Sequence, residues 1–174
     1  LFALGLKGIS ERAKVRRGTL ESRVESATEL IQAESDQPWL AWVGLNDEGD
    51  QLEKLMPDAV QVKGDQSPEE KVERIGRFLA GEARILITKP RIAGRGLNLQ
   101  HCARMVFVGL SDSFEDYFQC IRRCWRFGQA SPVHVYIVLS DLEEAIYENV
   151  LRKEREALAM SAELIRHVAE YERA

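Results

Sequence analysis

The sequence predicts an α/β fold: an open parallel sheet with helices on its faces. Three observations predict it. Five short runs are rich in Val, Ile and aromatic residues and nearly continuous in hydrophobicity, as strands buried on both faces are. They recur roughly 20 to 30 residues apart, which leaves room in each interval for a crossover helix. The intervals carry helix signals of their own, caps and apolar residues at helical spacing.

In chain order, residues 1–18 read as a basic connector (Lys7, Arg12, Lys14, Arg16, Arg17), and Thr19 to Ala33 as a flanking helix. Trp39 to Leu45 is the first strand, followed by a helix from Asp47 to Leu55. After the second strand, Ala59 to Lys63, Ser67-Pro68-Glu69-Glu70 opens a helix. Ser caps it, Pro occupies the first turn and Glu closes a capping box. Val72, Ile75 and Leu79 form the stripe predicted to face the core. Arg84 to Thr88 is the third strand and Met105 to Leu110 the fourth. A helix from Phe114 to Phe127, stopped by Gly128, leads to the fifth strand, Val133 to Leu139. The last helix, from Asp141 to about Glu172, has Leu142, Ala145, Ile146, Leu151 and Leu158 on a broken stripe, and reads as a partly exposed appendage.

At 174 residues, 45% hydrophobic and 30% charged, the chain has the composition of a globular domain with a real core. No apolar run approaches the roughly 20 residues that span a bilayer, and no signal-peptide pattern opens the chain. A first residue of Leu1 instead of Met leads us to expect a piece of something longer. Three cysteines without a CxxC pair fit neither a disulfide framework nor a zinc site; Cys120 and Cys124, one helical turn apart, are predicted to pack in the core, in a reducing compartment. Net charge is -4, yet Arg84 to Gln129 holds eight Lys/Arg against three acids. A basic centre inside an acidic shell suits a polyanion-facing surface.

The motif helix is the most informative segment. At about 100° per residue, Phe114, Phe118, Ile121 and Trp125 fall within roughly 60° and are predicted to face the core. Gln119, Arg123 and Arg126 cluster on the opposite side. Two convergent guanidinium forks are what phosphate recognition needs. In an open parallel sheet ligands bind at the carboxyl ends of strands. There the third strand runs into Lys89-Pro90-Arg91-Ile92-Ala93-Gly94-Arg95-Gly96-Leu97-Asn98-Leu99-Gln100, a loop whose glycines permit close backbone approach and whose cations suit phosphate.

Ala93-Gly94-Arg95-Gly96-Leu97-Asn98-Leu99, followed by Gln119-x3-Arg123-x2-Arg126-x-Gly128-Gln129, resembles the fifth and sixth motifs of superfamily-two helicases. The branch it most resembles is the Swi/Snf-like DNA translocases. Trp39 to Asn46 is similar to the family's fourth-motif strand and turn, and Val62-Lys63-Gly64-Asp65 into Ser67-Pro68-Glu69-Glu70-Lys71 to the strand, Gly turn and helix that follow it. The resemblance implies a RecA-like, three-layer α/β/α lobe over 36–140, the second of two. Residues 1–35 would be a connector and N-terminal helix arriving from an upstream lobe, and 141–174 a C-terminal helical appendage. ATP with Mg2+ would be bound mainly by the first lobe, which in the family carries the Walker loop; this chain has no GxxxxGK[ST].

The same resemblance implies roles. Arg123 and Arg126 would be arginine fingers, and Gly94, Gly96, Gln119 and Gln129 the nucleotide-side surface. Asn46, Gly64, Lys89, Arg91, Arg95 and Asn98 would contact DNA along its phosphate backbone, in the cytoplasm and without a membrane. Alone, the chain is expected to be inactive as an ATPase. Three departures stand out. Lys89-Pro90-Arg91 replaces the family's Ser-Thr-Arg, so with no hydroxyl or N–H on Pro90 any phosphate contact falls to Lys89 or Arg91. Arg95 replaces an apolar residue and reads equally as DNA contact or surface charge. Cys124-Trp125 replaces a small residue and His. His101 and His134 are taken as structural. Two other readings stay open: an RNA helicase lobe of the DEAD-box type, disfavoured because Gly128 precedes Gln129 and not Arg, and a non-catalytic RecA-like module docking a partner through its acidic last helix.

Overall fold

Five strands pair side by side, all parallel: β1 (Trp39–Val43), β2 (Ala59–Val62), β3 (Ile85–Thr88), β4 (Arg104–Val108) and β5 (His134–Val138), in the order β2-β3-β1-β4-β5. The computed structural model describes residues 9–94 and 96–171. The expected α/β sheet is present, each strand within two residues of the run that predicted it; β1 and β4 both end two residues early. The helices are α1 (Ile9–Gly18), α2 (Leu20–Ala33), α3 (Asn46–Leu55), α4 (Pro68–Leu79), α5 (Pro90–Ala93), α6 (Phe114–Cys124) and α7 (Glu144–Tyr171), the last entered through a 3-10 turn at Asp141–Glu143.

Strand alternation divides the core in two. Leu40 and Trp42 of β1 join Leu86, Met105 and Phe107 beneath α4, α6 and the start of α7. Trp39, Ala41 and Val43 point the other way, with Ile87 and Val106, onto Val24, Ala27 and Ile31 of α2 and Leu52 of α3. The result is three layers. Because both faces are covered, all five β1 residues are buried. Among the described residues no helix is long and apolar enough to cross a membrane.

The Ser67 capping box forms as expected: Glu70 N donates to Ser67 Oγ at 3.1 Å, and Ser67 N to Glu70 Oε2 at 2.8 Å. The face of that helix differs from expectation. Val72 is 71% exposed and Leu79 49%, whereas Phe78 is 1% exposed. Burying an aromatic ring removes more apolar area from water than burying Val or Leu. Lys71 and Arg74 lie on the same side as Ile75 and Phe78 and tie the helix to the end of β2, Lys71 Nζ donating to Gly64 O at 2.9 Å and Arg74 to Gln61 O at 3.1 Å. We expect Phe78→Ala to cost about 3–5 kcal/mol and Val72→Ala within about 0.5 kcal/mol, both read by urea denaturation.

The motif helix is also rotated. It buries Tyr117, Cys120 and Cys124, while Phe114 and Ile121 pack only at the core's margin. It ends at Cys124, three residues short of the predicted end, and Trp125 stands 56% exposed instead of in the core. The small thiols let α6 lie close to the sheet; an aromatic stripe would hold it away. All three cysteines are free and buried. Two further segments differ: residues 9–18 of the connector form α1, and the start of the glycine loop forms the single turn α5.

Candidate functional site

The motif helix, which carries Arg123, and the turn after it, which carries Arg126, deliver two forks to one point. Arg123 is held by its own helix, Nε donating to Gln119 O at 3.1 Å and an Nη to Gln119 Oε1 at 3.4 Å; its other Nη donates to Leu97 O at 3.1 Å. Arg126, exposed, donates to the same Leu97 carbonyl at 3.5 Å. Two cations thus meet over one neutral acceptor in the glycine loop. The Arg123 guanidinium is pushed below its ordinary pKa, first by burial and then by the charge of Arg126. An anion placed between the forks relieves both penalties.

Gln129 staples this arrangement. Its Nε2 donates to Gln100 O at 2.8 Å, Cys102 O at 3.2 Å and Cys124 O at 3.3 Å, and Leu99 N donates to Arg123 O at 3.0 Å. The loop that follows Gly96 is therefore fastened to the end of the motif helix, and Gly128 turns the chain at φ +95° to allow it. Gly94 is buried and caps α5, where a Cβ would collide with the Pro90 carbonyl. Gly96 adopts φ +83° with open space around it, so its need for glycine is conformational.

The second feature is a crevice of about 490 Å³ at the carboxyl ends of β1, β3 and β4. The chain leaves β1 toward β2 on one side and β4 toward β5 on the other, so loops diverge here, as at the switch point of any open α/β sheet. Its walls include Arg16, Trp42, Lys89, Arg91, Asp112 and Asp116. Lys89 and Arg91 flank Pro90, which takes the first position of α5, where a missing N–H costs nothing.

Residues 23–128 match the family described as the helicase conserved C-terminal domain. The chain belongs to that family. It is 32% identical over 77 residues to the transcriptional regulator ATRX homolog of Drosophila melanogaster, covering 43% of this chain and 6% of that protein. It is 33% identical over 97 residues to eukaryotic initiation factor 4A of Dictyostelium discoideum, covering 53% of this chain and 24% of that protein. The chain therefore spans a minor part of either relative. In fold it is similar to the C-terminal part of the Fun30 ATPase domain (TM-score 0.66, 18% identity, 74% of this chain and 44% of that one). It is equally similar to the C-terminal domain of the DEAD-box protein Dbp5 (TM-score 0.65, 18% identity, 76% and 78%). The RecA-like lobe is shared; the matches fall on both branches alike.

Of the residues expected to act in this helicase lobe, Arg123, Arg126, Gln119 and Gln129 come together with the Leu97–Gln100 segment, and Lys89 and Arg91 share the crevice. Asn46 and Gly64 are exposed at the ends of β1 and β2, on the same rim of the sheet but outside the crevice wall. Asn98 is exposed and closes a local turn, accepting from Gln100 N at 3.4 Å. Arg95 lies outside the described residues. Sequence reasoning missed Trp42 and Asp116 as wall residues and Arg16 as more than part of a basic connector.

His101 packs on Phe78, ring centroids 4.9 Å apart, and burial lowers its pKa below the usual 6.5. Protonation thus favours the unfolded chain: the stability His101 contributes is present above pH 6.5 and is lost as pH falls below it toward the depressed folded value. Between pH 7 and pH 5, His101→Gln is expected to lose less thermal stability than the unsubstituted lobe, measured by circular dichroism melts.

Proposed function

We propose that this chain is the second motor lobe of an ATP-dependent DNA translocase or helicase. One observation carries the reading: Arg123 and Arg126 converge on a single carbonyl of the loop that begins at the crevice. A neutral carbonyl is a weak partner for two guanidinium groups, and a phosphate oxygen, charged and able to accept from both, displaces it. The forks therefore fit the γ-phosphate of a nucleotide held mainly by an upstream lobe that brings its own Mg2+. Bound there, ATP supplies the phosphoryl group whose transfer drives movement. Arg123 stabilises the charge that develops during transfer, Arg126 adds a second fork from the exposed side, and Gln119 orients Arg123. Gln129 holds the glycine loop to the forks, so that a shift of one moves the other.

On this reading the rim made by Asn46, Gly64, Lys89, Arg91 and Asn98 follows the phosphate backbone of DNA with little readout of bases. Residues 1–35 connect to the upstream lobe and 141–174 form an appendage. Three free, buried thiols suit the reducing cytoplasm. The choice of DNA rests on the sixth motif, Gln119 through Gln129, where Gln129 and not Arg follows Gly128.

The chain alone is expected to show negligible ATPase. In the two-lobed protein, turnover should rise with duplex DNA and not with structured RNA. The reverse preference would move the lobe to the RNA branch, and no stimulation by either would favour a non-catalytic module.

A further inference from the structure

The most unusual charges in this lobe lie outside every motif. Arg23, Glu48 and Glu143 have side chains at most 1% exposed, yet they come from α2, α3 and the turn before α7. Arg23 donates to Glu48 Oε1 at 2.7 Å and approaches Glu143 at 3.7 Å. A fourth charge completes the group. Arg16, on α1, lies 3.7 Å from both Glu48 and Glu143. The quartet is neutral in sum but not in its exposure. Arg16 keeps 17% of its side chain accessible, so the cationic edge alone reaches solvent.

That edge opens into the crevice. Arg16 lines it together with Lys89 and Arg91, and Asp112 and Asp116 share the wall. Two glycines exist to admit it: a Cβ at Gly44 would collide with the Arg16 guanidinium, and one at Gly109 (φ +82°) would stand 2.8 Å from it and 2.5 Å from that of Arg23. Arg16 Nε is buried and has no hydrogen-bond acceptor among the described residues. Trp42, 1% exposed on the same wall, likewise has an indole N–H without an acceptor. Unsatisfied buried donors are rare enough to require an account: Arg16 Nε faces Glu143 Oε1, itself without a hydrogen-bond partner among the described residues, at 3.7 Å, and both donor residues belong to the crevice wall.

The geometry points to Arg16 as a phosphate-contacting residue of the nucleic-acid surface, delivered by α1 and pre-set by Glu48 and Glu143. This rests on the nucleic-acid reading above and extends it to a residue outside the helicase motifs. The carboxylates hold the guanidinium in place before a ligand arrives, so little side-chain freedom is lost on contact. They also differ from Arg16 in what they need. Without Arg16, Glu48 still accepts from Arg23 and from Gly44 N and Leu45 N, and Glu143 still accepts from Ser140. Removing Arg16 therefore leaves these hydrogen bonds in place, though the two buried carboxylates then share Arg23 as their one cation within the quartet.

The test is fluorescence anisotropy of a labelled single-stranded 12-nucleotide DNA on the full chain, with Arg16→Ala and Arg16→Lys, from about 50 to 200 mM salt. Arg16→Ala should weaken binding roughly tenfold and flatten the log-log salt slope by about one unit, measured at a temperature where circular dichroism shows the variant folded. Arg16→Lys should restore the slope but not the whole affinity, a split that a purely structural arginine would not produce. A second arm follows the Arg16 Nε–H resonance of the unsubstituted chain during titration with inorganic phosphate, and it decides the matter if the alanine variant does not fold. A shift with phosphate but no binding of the oligonucleotide would keep Arg16 as an anion contact and discard the nucleic-acid reading. Oligonucleotide binding with an unchanged slope in Arg16→Ala, or a resonance that phosphate does not move, would overturn the assignment.

Discussion

Arg123→Ala in the two-lobed protein is expected to lower DNA-stimulated ATPase by about 10³ to 10⁵ while nucleotide still binds. The asymmetry follows from placement. Arg123 is half-buried and fixed at both ends, by Gln119 on its own helix and by the Leu97 carbonyl across the loop, so its charge is aligned before any charge develops on a ligand. Arg126 is exposed and makes one long contact, 3.5 Å, so its replacement should cost less. Single-turnover assays, with nucleotide affinity measured separately, check both. Undiminished turnover in Arg123→Ala would remove that side chain from the chemistry.

The second large effect is on stability. Arg23→Ala should destabilise the lobe by about 3–5 kcal/mol, because it leaves buried partners without compensation. Arg23 donates to Glu48 Oε1, to Val108 O at 3.0 Å, to Arg16 O at 2.6 Å and to Thr19 Oγ1 at 3.2 Å, joining α1, α2, α3 and the end of β4. Removing the charge from both sides should cost less than removing it from one. Arg23→Ala combined with Glu48→Gln is expected to recover part of the loss, since Gln still accepts from Gly44 and Leu45 N–H. Urea denaturation of the four proteins of the cycle measures the coupling. A loss below about 1 kcal/mol for Arg23→Ala would show the quartet to be dispensable to the fold.

Much of this architecture was legible because its causes are local. The five strands announce themselves by apolar runs, and the Ser67-Pro68-Glu69-Glu70 cap makes its bonds among near neighbours. One fork was legible for the same reason: Gln119 and Arg123, one turn apart, share a side of α6 whatever that helix packs against, whereas Arg126 lies past the helix end and reaches Leu97 O from the turn that follows.

What was misread depended on the opposing surface. Helix α6 has two apolar arcs, one of Phe114, Phe118 and Ile121 and one of Tyr117, Cys120 and Cys124, and periodicity reports both. The sheet selected the second, since thiols permit close approach, and Trp125 was left outside beneath Arg122, whose guanidinium lies 5.7 Å from its ring. In α4 the same competition favoured Phe78 over Val72 and Leu79.

By itself the sequence determined the strands, the caps, the helix side that carries Gln119 and Arg123 and the family to which the lobe belongs, because each is written in residues within a few turns of one another. Only the tertiary structure decided which helical face meets the sheet, that Gln129 staples the glycine loop, and that Arg16, Arg23, Glu48 and Glu143 meet beneath Gly44 and Gly109. Four charges scattered along a chain carry no common pattern. Their partnership arises when burial removes water and leaves each the others as its means of satisfying charge.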